Sequence, residues 1–413
     1  MAYEIWHMAK VLHVLDHSLP YFSGYSFRSD YIISAQRRLG LRPVVVTSPK
    51  HEDFEHECET IDGVDYHRLR WPGFTAPLRK IPLLSHSLCL AALTKEIRSL
   101  AETLKVDLIH AHSPATNCLA ASRAARESNL PVIYELRYYD EDAAAGRGKT
   151  SHNSSRYRLT RRLEQSALEK ATRVTTISKA LRADLISRGV DPGKIFEIPN
   201  GVDTNLFEPR APDAGLVSRY DLAGKTVIGF IGSFYFYEGL EHLIDAMILL
   251  LAKRSDVKLL LVGEGEADRM LRKRVPGQLW EHFAFTGRVA HADAPRYYSV
   301  MDILVYPRVI SRLTELTSPL KPLEAMAMEK VVVGSDVGGL RELFSDGEVG
   351  FLVEPENPRA LARRLLSLVE SATVRHAMGK SARDFVLRDR EWNKIVSRYL
   401  NIYQEATAEL NEG

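Results

Sequence analysis

Short apolar runs alternate with segments of helical spacing, and they do so twice along the chain. In the first half, residues 11–15, 43–47, 107–111, 132–135 and 174–177 read as buried strands. Residues 27–39, residues 158–170, and a segment capped by Ser178 and running to residue 188 carry the three-to-four-residue spacing of helices. Near-continuous apolar strands separated by helices predict a parallel sheet covered on both faces. The rhythm fails over residues 200–225, where Gly201, Pro209, Pro212 and Gly215 fall without periodicity, so this stretch reads as a linker. It then restarts. Residues 226–231 form a strand closed by Gly232, residues 240–251 a helix, and residues 257–262, 283–286, 303–306 and 331–334 further strands. A last helix, 392–410, carries Trp392, Ile395, Tyr399 and Tyr403 as a stripe that needs a surface to cover it.

This pattern predicts an α/β protein of two doubly wound, Rossmann-like halves facing across a cleft, with ligands at the carboxyl ends of the strands. The expected layout is a first domain over 1–200, a linker over 201–225, a second domain over 226–390, and a helix over 391–413 that crosses back to the first domain. A length of 413 residues agrees, being too long for one core. Lys+Arg 55 against Asp+Glu 53 leaves a net charge of +2, so nothing global points to nucleic acid. The three cysteines, Cys58, Cys89 and Cys118, fit no zinc or redox spacing, and their odd number argues against a disulfide framework. A reducing cytoplasm is the natural setting. The opening MAYEIWH lacks the features of a secretory leader, and residues 1–7 read as an extension ahead of the first strand, leaving Met1 and Met8 both open as starts.

The chemistry concentrates in residues 319–343, PLKPLEAMAMEKVVVGSDVGGLREL. Glu324 opens a small-residue helix, a strand follows at once, and Gly338-Gly339 starts another helix. Helix N-termini attract phosphate through unpaired N–H groups and the helix dipole. An ionised carboxylate accepts only, and can take both hydroxyls of a ribose. With Lys321 close by, the segment is a candidate nucleotide-diphosphate pocket. The plainer reading of Glu324 is a charge in a first turn, stabilised there by roughly 0.3–1 kcal/mol.

Four segments carry a family resemblance: TTISKALRADLISRGVDPGKIFEIPNGVDTNLFEP (175–209), LVGEGEADRML (261–271), FTGRVAHADAPRYYSVMDILVYPR (285–308) and the 319–343 segment. The chain resembles the retaining glycosyltransferase family 4, which has the two-domain GT-B fold. Within it, SGYSFRS (23–29), YELR (134–137), IGSFYFYEGL (231–240) and SRLTELTSPLKPLEAMA (311–327) are similar to a bacterial subgroup associated with exopolysaccharide synthesis and exosortase-type export. The resemblance implies a donor UDP- or GDP-sugar, a saccharide or lipid-linked acceptor, no metal and no further cofactor. It implies that Glu324 binds the ribose and that the backbone of Arg288 and Val289 meets the base. Gly24 and Gly232 would let backbone approach the ligand. The rivals from other classes are a sugar-nucleotide epimerase of the same fold and a non-catalytic nucleotide-sugar-binding subunit.

The chain also departs from the family. The family's second glutamate, eight positions before Glu324, falls on Leu316, and Glu315 lies one residue out of register. Glu315 is a catalytic candidate if it reaches the site through a different loop; otherwise the role is shared or lost and Glu315 is a solvated loop carboxylate. The usual arginine and lysine after the first strand of the second domain fall on Ser233 and Glu238. Leaving-group support is therefore expected from Lys321, Arg312 and Arg308, with the N–H groups of Gly338, Gly339 and Leu340. Many relatives have a histidine near Glu135. Here Glu135 and Arg137 would orient the sugar or support the anomeric cation, or else form a structural ion pair. His112, read as more exposed than His110, is a further catalytic candidate beside a structural alternative. The basic and aromatic span 70–93 and the run RYRLTRRLE (156–164) suit peripheral contact with the inner face of the cytoplasmic membrane, or an irregular loop covering the first domain.

Overall fold

The computed structural model describes residues 8–21, 23–52, 54–71 and 82–412. It divides into two compact units. The first comprises residues 1–145, 150–199 and 392–413, the second residues 146–149 and 200–391.

The first unit is built on an eight-stranded sheet. Its strands are β1 (Lys10–Leu15), β2 (Arg42–Thr47), β3 (Cys58–Ile61), β4 (Val64–Arg68), β5 (Leu108–His112), β6 (Val132–Leu136), β7 (Arg173–Thr176) and β8 (Ile195–Glu197), in the order β3-β4-β2-β1-β5-β6-β7-β8. All neighbours run parallel except β3 and β4, an antiparallel hairpin. Its Asp62-Gly63 turn has positive φ at both residues, 48° and 70°, the conformation that a two-residue hairpin requires. Strand order reverses between β1 and β5, which places a binding crevice outside their carboxyl ends.

The C-terminal stretch belongs to this unit. It forms two helices, Trp392–Val396 and Arg398–Glu412, where the sequence suggests one. Trp392 stacks on Tyr31 of the helix Gly24–Arg38 at 5.5 Å. Tyr399 and Tyr403 are fully buried, and each large side chain removed from water contributes about 1.5–3 kcal/mol.

The second unit holds a parallel six-stranded sheet. Its strands are β9 (Thr226–Ile231), β10 (Val257–Val262), β11 (Phe283–Phe285), β12 (Ile303–Tyr306), β13 (Val331–Ser335) and β14 (Phe351–Val353), in the order β11-β10-β9-β12-β13-β14. The order reverses between β9 and β12. The stretch expected to be a linker is integral to this unit. Val202, Phe207, Leu216 and Leu222 are buried in its core, and residues Ala214–Arg219 are helical. Its irregular backbone hid the anchoring role of these isolated apolar residues. Among the described residues, no helix is long and apolar enough to cross a membrane.

Candidate functional site

The carboxyl end of β9 runs into Gly232, whose φ is 145°. A Cβ at this position would lie 2.7 Å from Lys321 Cδ and 2.8 Å from Lys321 Nζ. The absent side chain is thus the space that Lys321 fills. This lysine starts the helix Lys321–Ala327, with Pro322 in its first turn, a position where a missing N–H costs nothing. Its ammonium lies 4.7 Å from the centre of the Phe230 ring and donates to Glu238 Oε1 at 2.5 Å. Arg308, just beyond β12, donates Nε–H to Glu238 Oε2 at 3.3 Å and Nη1–H to the Thr317 carbonyl at 3.0 Å. Burial opposes ionisation of Glu238, but Lys321 and then Arg308 outweigh it and hold its carboxyl below the usual range.

Glu324 follows Lys321 by three residues on the same helix, so both face the same side. It is partly exposed. It accepts a hydrogen bond from the Tyr298 hydroxyl at 2.9 Å. The Tyr306 hydroxyl donates to the Lys321 carbonyl at 3.0 Å, and the Tyr298 oxygen lies 3.4 Å from that carbonyl. Burial pushes the Glu324 carboxyl up to about 7, against the opposing effects of the Tyr298 hydrogen bond and Lys321. Gly232, Arg308, Lys321 and Glu324 are therefore brought together at the reversal point of the second sheet. Sequence reasoning missed Tyr298, Tyr306 and the partner role of Glu238. Glu238 was read only as a missing lysine, although a buried carboxylate calls for a cation.

An adjoining group uses its polar atoms internally. Glu315 Oε2 accepts from the Gly338 N–H at 2.9 Å and from Arg341 Nη2 at 2.9 Å. The Leu340 N–H donates to the Val337 carbonyl at 2.9 Å. A Cβ on Gly339 would meet the Thr317 carbonyl oxygen at 2.2 Å, so glycine here permits close approach of the Arg312–Leu316 turn and its exit. Two of the three N–H groups assigned to phosphate thus already have acceptors, Gly338 from the overlying turn and Leu340 from its own helix start. Arg312 is exposed in the first turn of Arg312–Leu316, which Ser311 caps. Arg288 is exposed and Val289 half-buried beyond the edge strand β11.

In the first unit, Gly24 opens the helix Gly24–Arg38 after the capping residue Ser23, with open space where a Cβ would stand. Glu135, Arg137 and His112 lie together but beneath the surface, exposed by 0%, 3% and 0%. Glu135 Oε1 accepts from Arg137 Nε at 2.6 Å and Arg28 Nε at 3.0 Å, while Oε2 accepts from the Tyr399 hydroxyl. Burial alone would raise the Glu135 carboxyl, but Arg28 and Arg137 pull it well below the usual range. These contacts are those of a structural ion pair. His112, expected to be more exposed than His110, is as buried as it is, because the sheet face they share is covered.

The buried network continues as a ring. Arg137 donates to His112 Nδ1 at 2.6 Å, since a guanidinium only donates. The His112 proton is then on Nε2, facing His13 Nδ1 at 2.9 Å. That puts the His13 proton on Nε2, donated to Gln36 Oε1 at 2.8 Å. Gln36 Nε2 donates to the Tyr403 hydroxyl at 2.7 Å, and Tyr403 donates to His110 Nδ1 at 2.7 Å. His110 Nε2 then points its proton toward Glu135 Oε2 at 3.6 Å. The ligand atoms of the three histidines lie within 4.8 Å of one another. The set nevertheless fits a metal poorly. A ligating imidazole donates its other N–H, whereas His112 Nδ1 must accept from Arg137.

Residues 23–201 match the family model "Glycosyl transferase 4-like domain", and residues 225–371 match "Glycosyl transferases group 1". The phosphatidyl-myo-inositol mannosyltransferase of Mycobacterium tuberculosis is 31% identical over 268 residues, 62% of this chain and 66% of that protein. The chain thus spans just under two thirds of that relative's length. A GDP-mannose-dependent alpha-mannosyltransferase of Corynebacterium glutamicum is 25% identical over 369 residues, 88% of this chain and 81% of the relative. The crystal structure of Anabaena HepE in complex with UDP superposes with a TM-score of 0.72 at 19% identity, covering 96% of this chain and 100% of that one. Two parallel-sheet α/β units with these structural neighbours define the GT-B fold. Over residues 23–201 and 225–371 the chain is thus similar to the glycosyltransferases that the two models describe.

Proposed function

We propose that the chain is a retaining glycosyltransferase that moves a hexosyl group from a UDP- or GDP-sugar to a saccharide or lipid-linked acceptor. The observation that carries this reading is the pairing of Lys321 and Glu324 on one helix face at the reversal point of the second sheet. Glu324 accepts the ribose hydroxyls, and Lys321 meets the diphosphate as its charge builds on cleavage of the bond to the sugar. Arg308, held by Glu238 and Thr317, adds positive potential from beneath. The leaving phosphate takes the proton of the acceptor hydroxyl on the face of the sugar where the new bond forms, so anomeric configuration is kept. The names of the relatives, two of them mannosyltransferases, support a hexose donor. A neighbour solved with UDP supports a nucleotide-diphosphate site.

In this reading the first unit receives the acceptor, with Gly24 at its crevice, and Glu135, Arg137 and His112 shape that unit from within. The helix Ser155–Lys170 exposes Arg156, Arg158, Arg161 and Arg162, which suits contact with an anionic membrane surface. The neighbouring span 72–81 lies outside the described residues. The setting is cytoplasmic, and the product belongs to cell-surface or exported polysaccharide. Incubation with UDP- and GDP-hexoses and a panel of saccharide and polyprenyl-linked acceptors tests the reading, with NMR of the product's anomeric centre. Retained configuration is expected. Inverted product, or donor converted with no acceptor consumed, overturns it.

A further inference from the structure

We propose that Glu238 is a positioning residue for the donor diphosphate: its buried carboxylate holds the Lys321 ammonium at the end of β9, with Arg308 on its second oxygen. The inference rests on the reading of Lys321 as a diphosphate contact given above.

A carboxylate beside an anion site is paradoxical at first sight, since it repels the ligand. The geometry resolves this. Lys321 Nζ is enclosed by the Phe230 ring, the Gly232 backbone and Glu238, and Arg308 bonds the same carboxylate from the other side. The charged and titratable groups around it are Glu238 from the turn Phe236–Glu238, Arg308 from the end of β12, and Glu324 one turn along its own helix. The Tyr298 and Tyr306 hydroxyls lie on its carbonyl. Burial lowers the lysine's pKa, Arg308 lowers it further, and Glu238 is the largest opposing influence. Without Glu238, two cations share a desolvated space, and the lysine is the one that can shed its proton. The carboxylate thus keeps the charge on Lys321, the group read as the phosphate contact, and the three groups together carry a net +1.

Glu238 is also rigidly placed. Gly239, at φ 66°, ends its turn, and a Cβ there would meet the Pro307 carbonyl oxygen at 2.1 Å. The turn is therefore clamped against the exit of β12. Tyr235 and Tyr237 stack at 5.3 Å on its outer side, with the Arg147 guanidinium 4.7 Å from the Tyr235 ring.

Two measurements on wild type, Glu238→Gln and Glu238→Asp test the proposal. One is the pH dependence of Lys321 acetylation by acetic anhydride in the ligand-free protein, read by mass spectrometry. The other is binding of UDP, GDP and ADP by calorimetry between pH 6.5 and 9.5. Glu238→Gln is expected to move the Lys321 titration to lower pH by about one unit, weakening nucleotide binding about tenfold at the alkaline end and little at pH 6.5. Glu238→Asp, which keeps the charge, should restore part of the shift and serves if the glutamine variant folds poorly. An unchanged Lys321 titration, or tighter binding in Glu238→Gln at every pH, overturns the proposal. A shifted titration in a protein that binds none of the three nucleotides upholds the positioning role and overturns the donor reading instead.

Discussion

Glu135→Gln keeps the size of the side chain and removes the charge that balances Arg28 and Arg137. Both guanidiniums stay buried, at 2% and 3% exposure. Each retains neutral acceptors: Ile198 and Pro199 carbonyls for Arg28, the Tyr25 carbonyl and Ser29 hydroxyl for Arg137. Removing one partner of a buried ion pair costs about 3–5 kcal/mol, and the retained acceptors put the expected loss near the lower figure. Stability of a domain is roughly 5–15 kcal/mol in all, so the first unit should unfold at markedly lower urea concentration. Fluorescence of Trp392, stacked on Tyr31 with Arg28 at 5.4 Å from its ring, reports this unit. The second unit should keep its own transition, and nucleotide binding should persist. A loss of under about 1 kcal/mol, together with abolished sugar transfer, would refute the structural reading and restore Glu135 as a catalytic residue.

Three further outcomes follow from the buried and half-buried groups. Burial holds His13 at about 3, His112 at about 4 and His110 well below its ordinary value. Their neutral forms are favoured in the fold, so stability is fully present above about pH 6.5 and is lost as the pH falls below it. At pH 5 His13 and His112 each contribute a loss on the order of 2 kcal/mol, and urea melts of the first unit from pH 7.5 to 5 should show that slope. Glu324 must be ionised to accept from both ribose hydroxyls with both of its oxygens, and its carboxyl lies at about 7. Calorimetry should find UDP-glucose or GDP-mannose bound about tenfold more weakly at pH 6 than at pH 8, the phosphates of these diesters staying ionised throughout. Tyr298→Phe removes the hydroxyl that favours the ionised form. It should move that acid limb to higher pH, and an unmoved limb would remove Glu324 from the ribose role.

The second sheet was the most legible part of the chain. Residues 226–231, 257–262 and 303–306, and the helix 240–251, stand where the apolar runs put them, because buried parallel strands have little freedom in composition. The β3–β4 hairpin was legible and missed. Asp62-Gly63 between alternating residues is its signature, but the exposed edge strand β3 carries few apolar residues, and β4 alternates over only five. The irregular 200–225 segment was not legible, since Phe207 and Leu222 are single apolar residues without a period. The ring through His13, Gln36, His110, His112 and Tyr403 could not be read at all. Its members meet through strand register and a helix 367 residues along the chain from Gln36. At the candidate site, Lys321 and Glu324 were singled out from one segment, but Lys321 was expected in a loop ahead of the helix that Glu324 opens. It starts that helix instead, which puts the two on one face. Glu238 was not, because its partners come from two other elements.

The central claim is that the second unit binds a nucleotide-diphosphate sugar through Glu324 and Lys321. Calorimetric titration of wild type, Glu324→Ala and Lys321→Ala with UDP-, GDP- and ADP-hexoses tests it most directly. Wild type is expected to bind at least one of them, Glu324→Ala to weaken binding at least tenfold, and Lys321→Ala to weaken the nucleoside diphosphate more than the bare nucleoside. Binding left unchanged in both variants contradicts it.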